Sequence, residues 1–274
     1  MGSNNRSLPT MYDPMDRPYD LTFGGIKMDS EQIIKIVNSL DSETYHCMGK
    51  VIFGHEIWLE NAVTNGNVSS ADLVYGHNMA YDGKAPKEYV NPTVFDSKGK
   101  PVKYEVGELE NGYRISFNNE GTSPYTMYIE SIPVIWNQIT DGTWKAGVKR
   151  DYSNVKNSAS YQMYAKIIFA DPEPSKVEQA VLEIIPGTSS ISVGKEIQFL
   201  VKYEGKPLTN KEVKMFCKKT GQEIFKNTDE RGAVSIAIDH CGDWMFLVRH
   251  KDGSKSVDNE FDEAVFITTL VMRA

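Results

Sequence analysis

The sequence predicts an all-β protein: two immunoglobulin-like β-sandwich domains in tandem, preceded by a short N-terminal helix. Three observations predict it. From residue 50 onward, short apolar runs with period-two alternation are separated by Gly, Asn and Asp clusters. No helical pattern alternates with these runs, which excludes β-α units and a parallel sheet covered by helices. A proline-rich break at residues 171–175 divides the pattern, and about 95 residues of the same strand-and-turn rhythm follow it, the size of one immunoglobulin-like sandwich.

The elements follow in order. Residues 1–49 form an N-terminal arm, punctuated by Pro9, Pro14 and Pro18. Within it, residues 29–40 read as a helix. Asp29 or Ser30 caps it, Gln32 sits in capping-box position, and Ile33, Ile36, Val37 and Leu40 share one face. The first sandwich spans residues 50–170, with strands expected at 51–59, 71–75, 93–95, 102–106, 113–117, 125–135 and 161–169. Turn signals at 96–99, 110–112, 119–121 and 141–142 supply the Gly and Asn/Asp that tight turns need. Residues 171–177 are the linker, stiffened by Pro172 and Pro174. The second sandwich spans residues 178–274, with strands at 180–185, 196–203, 212–218, 233–238, 244–250 and 263–272.

Composition narrows the function classes. The 274 residues carry a net charge of -7 and no long basic run, which disfavours nucleic acid as a partner. No apolar stretch is long enough to span a bilayer, so no membrane insertion of this chain is expected. No apolar segment follows Met1, and a secretory signal is not read in the chain as given. The nucleophile elbow, the P-loop, the dinucleotide fingerprint, Cys-x-x-Cys and His-Glu-x-x-His are all missing from the sequence. The protein is therefore read as a non-enzyme with no catalytic residues. A hydrolase would need a site assembled in space rather than in sequence.

The candidate chemistry lies in histidines, because neutral imidazole is a ligand for nickel, cobalt, zinc and copper. His55 and His77 each follow a glycine, Gly54 and Gly76, that permits close approach of a ligand or another backbone. If strands 51–59 and 71–75 pair, the two rings can meet. Glu56 is expected to point away from His55 by strand alternation, leaving Asn78, Asp72 or a distant carboxylate as better co-ligands. His46, beside Cys47, could complete the site if the chain folds back. His240 and His250 bracket one strand, too far apart to share an ion. Cys217 and Cys241 are read either as buried thiols or as a disulfide. The four tryptophans and 14 tyrosines are read as core rather than as a sugar-binding platform.

The segment Gly54-His55-Glu56-Ile57-Trp58-Leu59-Glu60 and the later pair Gly76-His77 resemble the His-x-x-Trp-Leu and Gly-His elements of a bacterial family. That family consists of periplasmic components of cobalt and nickel ABC-type transport systems. In the second half, 182–187, 203–208, 228–232 and 242–244 follow its order. The resemblance covers about residues 53–274, and 54 residues precede His55, the histidine that secreted members of the family have near the mature terminus. It implies export to the periplasm and capture of a divalent ion, nickel or cobalt, for membrane metal-transport components. His55 and His77 are the residues carried over. The competing expectation is a structural or adhesive module that recognises protein or glycan without metal.

Overall fold

A computed structural model describes residues 22–23, 26–27, 30–39, 42–120, 124–169, 175 and 177–274. The chain is all-β, with sandwich-like sheets and a little helix near its start. Helix α1 (Ser30–Ser39) lies where the apolar stripe predicts it, and Ile36 packs against the main core. Asp29 and Leu40 fall outside the described residues. A second helix, α2 (Ser42–Gly49), was not legible, because it lacks a strong apolar stripe. It buries Cys47 and Met48, and Gly49 lets its last turn approach Trp136, whose ring a Cβ would meet at 2.9 Å.

Two strand expectations need correction. Residues 50–53 form a turn of 3-10 helix rather than strand, and Gly54 follows at φ 102°, a left-handed conformation that ends any extended run. The strand starts only at Glu56 and runs Glu56–Asn65. The run expected at 125–135 divides into Tyr125–Ser131 and Val134–Ile139. Pro133 has no N–H to continue the ladder, and Ile132 N–H instead donates to the Tyr89 carbonyl at 2.8 Å. Each part then pairs with a different stretch of one long strand, Val155–Phe169.

That long strand organises the molecule. On its other edge it pairs in parallel with Glu263–Arg273, from Ala159 opposite Glu263 to Lys166 opposite Leu270. One nine-stranded sheet therefore draws strands from both halves of the chain, continuing through Asp243–Asp252, Glu212–Cys217 and Glu223–Asn227. Its residues alternate between two cores. Trp136, Met163, Val265 and Ile267 face the first, shared with a five-stranded sheet containing Glu56–Asn65 and Val68–His77. Ile135, Tyr164, Ala264 and Phe266 face the second, shared with a four-stranded sheet built on Glu196–Tyr203. Apolar residues on both faces of Val155–Phe169 are what burial on both sides requires.

A smaller cluster ties the halves together again. Trp58, Val74 and Met79 leave the back of the five-stranded sheet and pack on Phe216, Met245 and Val271. Trp58, Trp136 and Trp244 are all buried, as expected of core. The linker residues 171–174 lie outside the described residues.

The cysteines are not bridged. Cys47 and Cys217 are buried, whereas Cys241 is exposed, which corrects the expectation of a second buried thiol. Lys219 Nζ donates to Cys241 Sγ at 3.0 Å and holds the thiol below its usual pKa. A larger thiolate fraction means faster alkylation at a given pH. Iodoacetamide is thus expected to label Cys241 first, and Lys219→Met to move its rate–pH profile to higher pH. Mass-spectrometric labelling rates check both; equal rates at the three cysteines would contradict the assignment.

Candidate metal site around His55 and His77

Antiparallel pairing brings the two Gly-His elements together. Glu56 stands opposite Gly76, so His55, just before one strand, faces His77 at the end of the other. The imidazole ring centres are 5.8 Å apart, with planes inclined by 30°. Two imidazoles on one ion place their ring centres roughly 5–6.5 Å apart, given metal–nitrogen bonds of about 2.0–2.1 Å.

The glycines have separate reasons. A Cβ on Gly76 would lie 1.9 Å from the Ala80 carbonyl oxygen, so the tight return of the chain demands glycine there. A Cβ on Gly54 would meet His77 Cε1 at 3.4 Å. Close approach is by backbone at the first position and by an imidazole at the second.

Hydrogen bonding defines which ring nitrogens remain. His55 Nε2 is 2.6 Å from Asp82 Oδ2. The Lys50 ammonium, then His55, hold the Asp82 carboxyl below its ordinary pKa, so it is an ionised acceptor and His55 Nε2 is the donor. In the neutral tautomer that donates from Nε2, the lone pair lies on Nδ1, which is buried and has no hydrogen-bond partner among the described residues. His77 Nδ1 donates to the Gly54 carbonyl at 3.0 Å, leaving its lone pair on Nε2. Ligating histidines are commonly held this way, the second nitrogen donating to a carboxylate or carbonyl.

Glu56 departs from the sequence expectation. Because His55 precedes the strand, alternation does not govern the pair, and Glu56 Oε2 lies 3.4 Å from His77 Nδ1. Its Oε1 accepts the Asn78 N–H at 2.8 Å. Burial raises the Glu56 pKa, against the lowering effects of the Asn78 N–H and His77. Neither expected co-ligand is directed at the imidazoles. Asp72 is held by Arg114 Nε at 2.8 Å, and the Asn78 amide turns to Glu223 and Lys214. His46 lies in α2 with its side chain outside the described residues. Cys47 sits behind Tyr75, whose hydroxyl donates to the Cys47 carbonyl at 2.7 Å. His240 and His250 lie at opposite ends of Asp243–Asp252, as the sequence expects. Among the described residues, no group of three or more His, Cys, Asp or Glu side chains is arranged to hold a metal. The chain itself thus offers two imidazole nitrogens.

Sequence reasoning also missed two polar clusters, Lys166 with Glu183 and Asn78 with Lys214 and Glu223. Lys166 could have been noticed as a charge inside an apolar run. The second cluster joins positions far apart in sequence and left no local signal.

The fold and site define an all-β sandwich protein with a paired-imidazole corner. The chain belongs to the DUF4198 family, described as a domain of unknown function, which matches residues 52–252. No curated protein matches the chain. Among solved structures it is similar to the BSP domain of a biofilm-associated protein, at 12% identity and a TM-score of 0.20, over 80% of this chain and 29% of that one. A second is native alpha-2-macroglobulin from Escherichia coli spanning domains MG0-NIE-MG1, at 8% identity and a TM-score of 0.21, over 78% of this chain and 94% of that one. The Bacillus anthracis TIE protein matches at 9% identity and a TM-score of 0.18, over 81% and 58%.

Proposed function

We propose that the protein captures a divalent metal ion, nickel or cobalt, in the periplasm and passes it to the membrane components of an uptake system. The observation that carries this reading is the buried, unpartnered Nδ1 of His55 beside the His77 ring. A buried lone pair without a donor is costly, and a cation satisfies it. His55 and His77 would hold the ion; His46 is a further candidate ligand. Two protein donors leave most coordination positions to water or to the groups of a receiving protein, which suits a cargo that must leave again. No bond chemistry is involved, consistent with a binding protein rather than an enzyme.

Titration calorimetry with nickel and cobalt tests the site. His55→Ala and His77→Ala are each expected to weaken binding by at least about 10–100-fold, the loss that follows removal of a ligand's orienting partner alone. Unchanged affinity in both variants removes the site. Recognition of a protein or glycan that persists in chelator is the outcome expected of an adhesive module instead.

A further inference from the structure

The turn after His77 carries a second constellation, independent of imidazole chemistry. Asn78 and Met79 form its tip, both with positive φ, 52° and 55°. Asn adopts this conformation readily, but a residue such as Met holds it only where its surroundings enforce it. Here Met79 is buried against Phe216 and Met245 from the second half, and the Asn78 N–H is pinned by Glu56 Oε1. The tip is thereby pressed onto the hairpin of Glu212–Cys217 and Glu223–Asn227.

At that junction three side chains close a ring. Lys214 Nζ donates to Asn78 Oδ1. The same Nζ lies 2.7 Å from Glu223 Oε1. Asn78 Nδ2 donates to that carboxylate oxygen at 2.8 Å. The Lys214 side chain is only 15% exposed, and its Nζ sits 5.9 Å and 5.8 Å from the Phe216 and Phe225 ring centres. A simple ion pair needs only lysine and glutamate. Here a carboxamide is fixed with its oxygen on the amine and its nitrogen on the carboxylate, so amine, acyl carbon and proton carrier are mutually in reach.

We propose that Lys214 and Asn78 become joined by an intramolecular isopeptide bond, with Glu223 carrying the protons. Glu223 takes one proton from the Lys214 ammonium, and the neutral Nζ attacks Asn78 Cγ. The new Nζ–Cγ bond forms as Cγ–Nδ2 breaks. Glu223 delivers its proton to Nδ2, which leaves as ammonia; Nζ gives up its second proton through Glu223 to that ammonia and becomes the amide N–H, so the nitrogen departs as ammonium. Atoms and charge balance with one ammonium ion released, and no oxidant, metal or cofactor is required. The product straps the first half of the chain to the second across positions 136 residues apart.

Intact-mass measurement of the purified, denatured full-length chain tests this. The expected mass is lower than that of the sequence by one ammonia, and a tryptic digest is expected to contain a branched peptide joining Asn78 to Lys214. Asn78→Ala, Glu223→Ala and Lys214→Arg should each restore the full sequence mass. Lys214→Arg keeps the positive charge beside Glu223 but presents no amine to be acylated, so with a urea unfolding curve it separates loss of the bond from loss of the fold. A wild-type chain at full sequence mass overturns the proposal. So does ammonia loss that persists in Lys214→Arg, which would identify a cyclic imide at Asn78 instead.

Discussion

Lys166→Met is expected to destabilise the protein by about 3–5 kcal/mol, the cost of leaving one member of a buried ion pair without its partner. Lys166 and Glu183 are 2% and 3% exposed, with Nζ 3.1 Å from Oε2. Two carbonyls, Val177 and Ile184, also face that ammonium, and the Tyr128 ring lies 5.1 Å away. Glu183 in turn accepts the N–H groups of Gln179 and Ala180 at 2.6 and 2.8 Å. The pair anchors the chain just after the linker onto the long central strand. Adding Glu183→Gln to Lys166→Met removes the stranded charge yet keeps an acceptor for both N–H groups, so the double variant should recover much of the loss. Urea unfolding of the two singles and the double forms a complete cycle. A double variant no better than Lys166→Met would show that the ammonium's contacts to the two carbonyls and the ring, rather than charge balance, dominate.

Trp58→Ala should cost a similar amount, about 3–5 kcal/mol, through the cavity it opens. The ring is fully buried where the five-stranded sheet meets Phe216, Met245 and Val271. Its Nε1 donates to Glu60 Oε2 at 2.8 Å, an oxygen also bound by Lys218 Nζ at 2.7 Å. Tyr81 stacks on the ring at 6.2 Å and donates its hydroxyl to the other Glu60 oxygen. Trp58→Phe keeps much of the ring but loses three ring atoms together with the N–H, so a smaller loss, about 1–3 kcal/mol, is expected from it. Thermal or urea unfolding separates the two contributions. Equal losses in both variants would show that a phenyl ring restores none of the packing at this site.

Much of the strand pattern was legible because hairpins advertise themselves locally. Alternation at Tyr113, Ile115 and Phe117 and the turn at Asn111 and Gly112 place one strand correctly, Gly112–Asn118. The partnership of Val155–Phe169 with Glu263–Arg273 was not legible, since parallel strands joined through a whole intervening half share no turn. Nor was the division at Pro133 read, although a proline without a donor in mid-strand is itself the signal. At the site, the meeting of His55 and His77 followed from two Gly-His elements on neighbouring antiparallel strands. The place of Glu56 did not follow, because Gly54 delays the strand past His55 and cancels the alternation rule there.

The parallel pair also sets the order in which this chain can assemble. Glu263–Arg273 fills the slot between Val155–Phe169 and Asp243–Asp252, so the central sheet stays open along one edge until those residues have been synthesised. About a hundred residues emerge from the ribosome in that interval, during which the nascent chain presents an unpaired edge and must be kept from pairing with its neighbours.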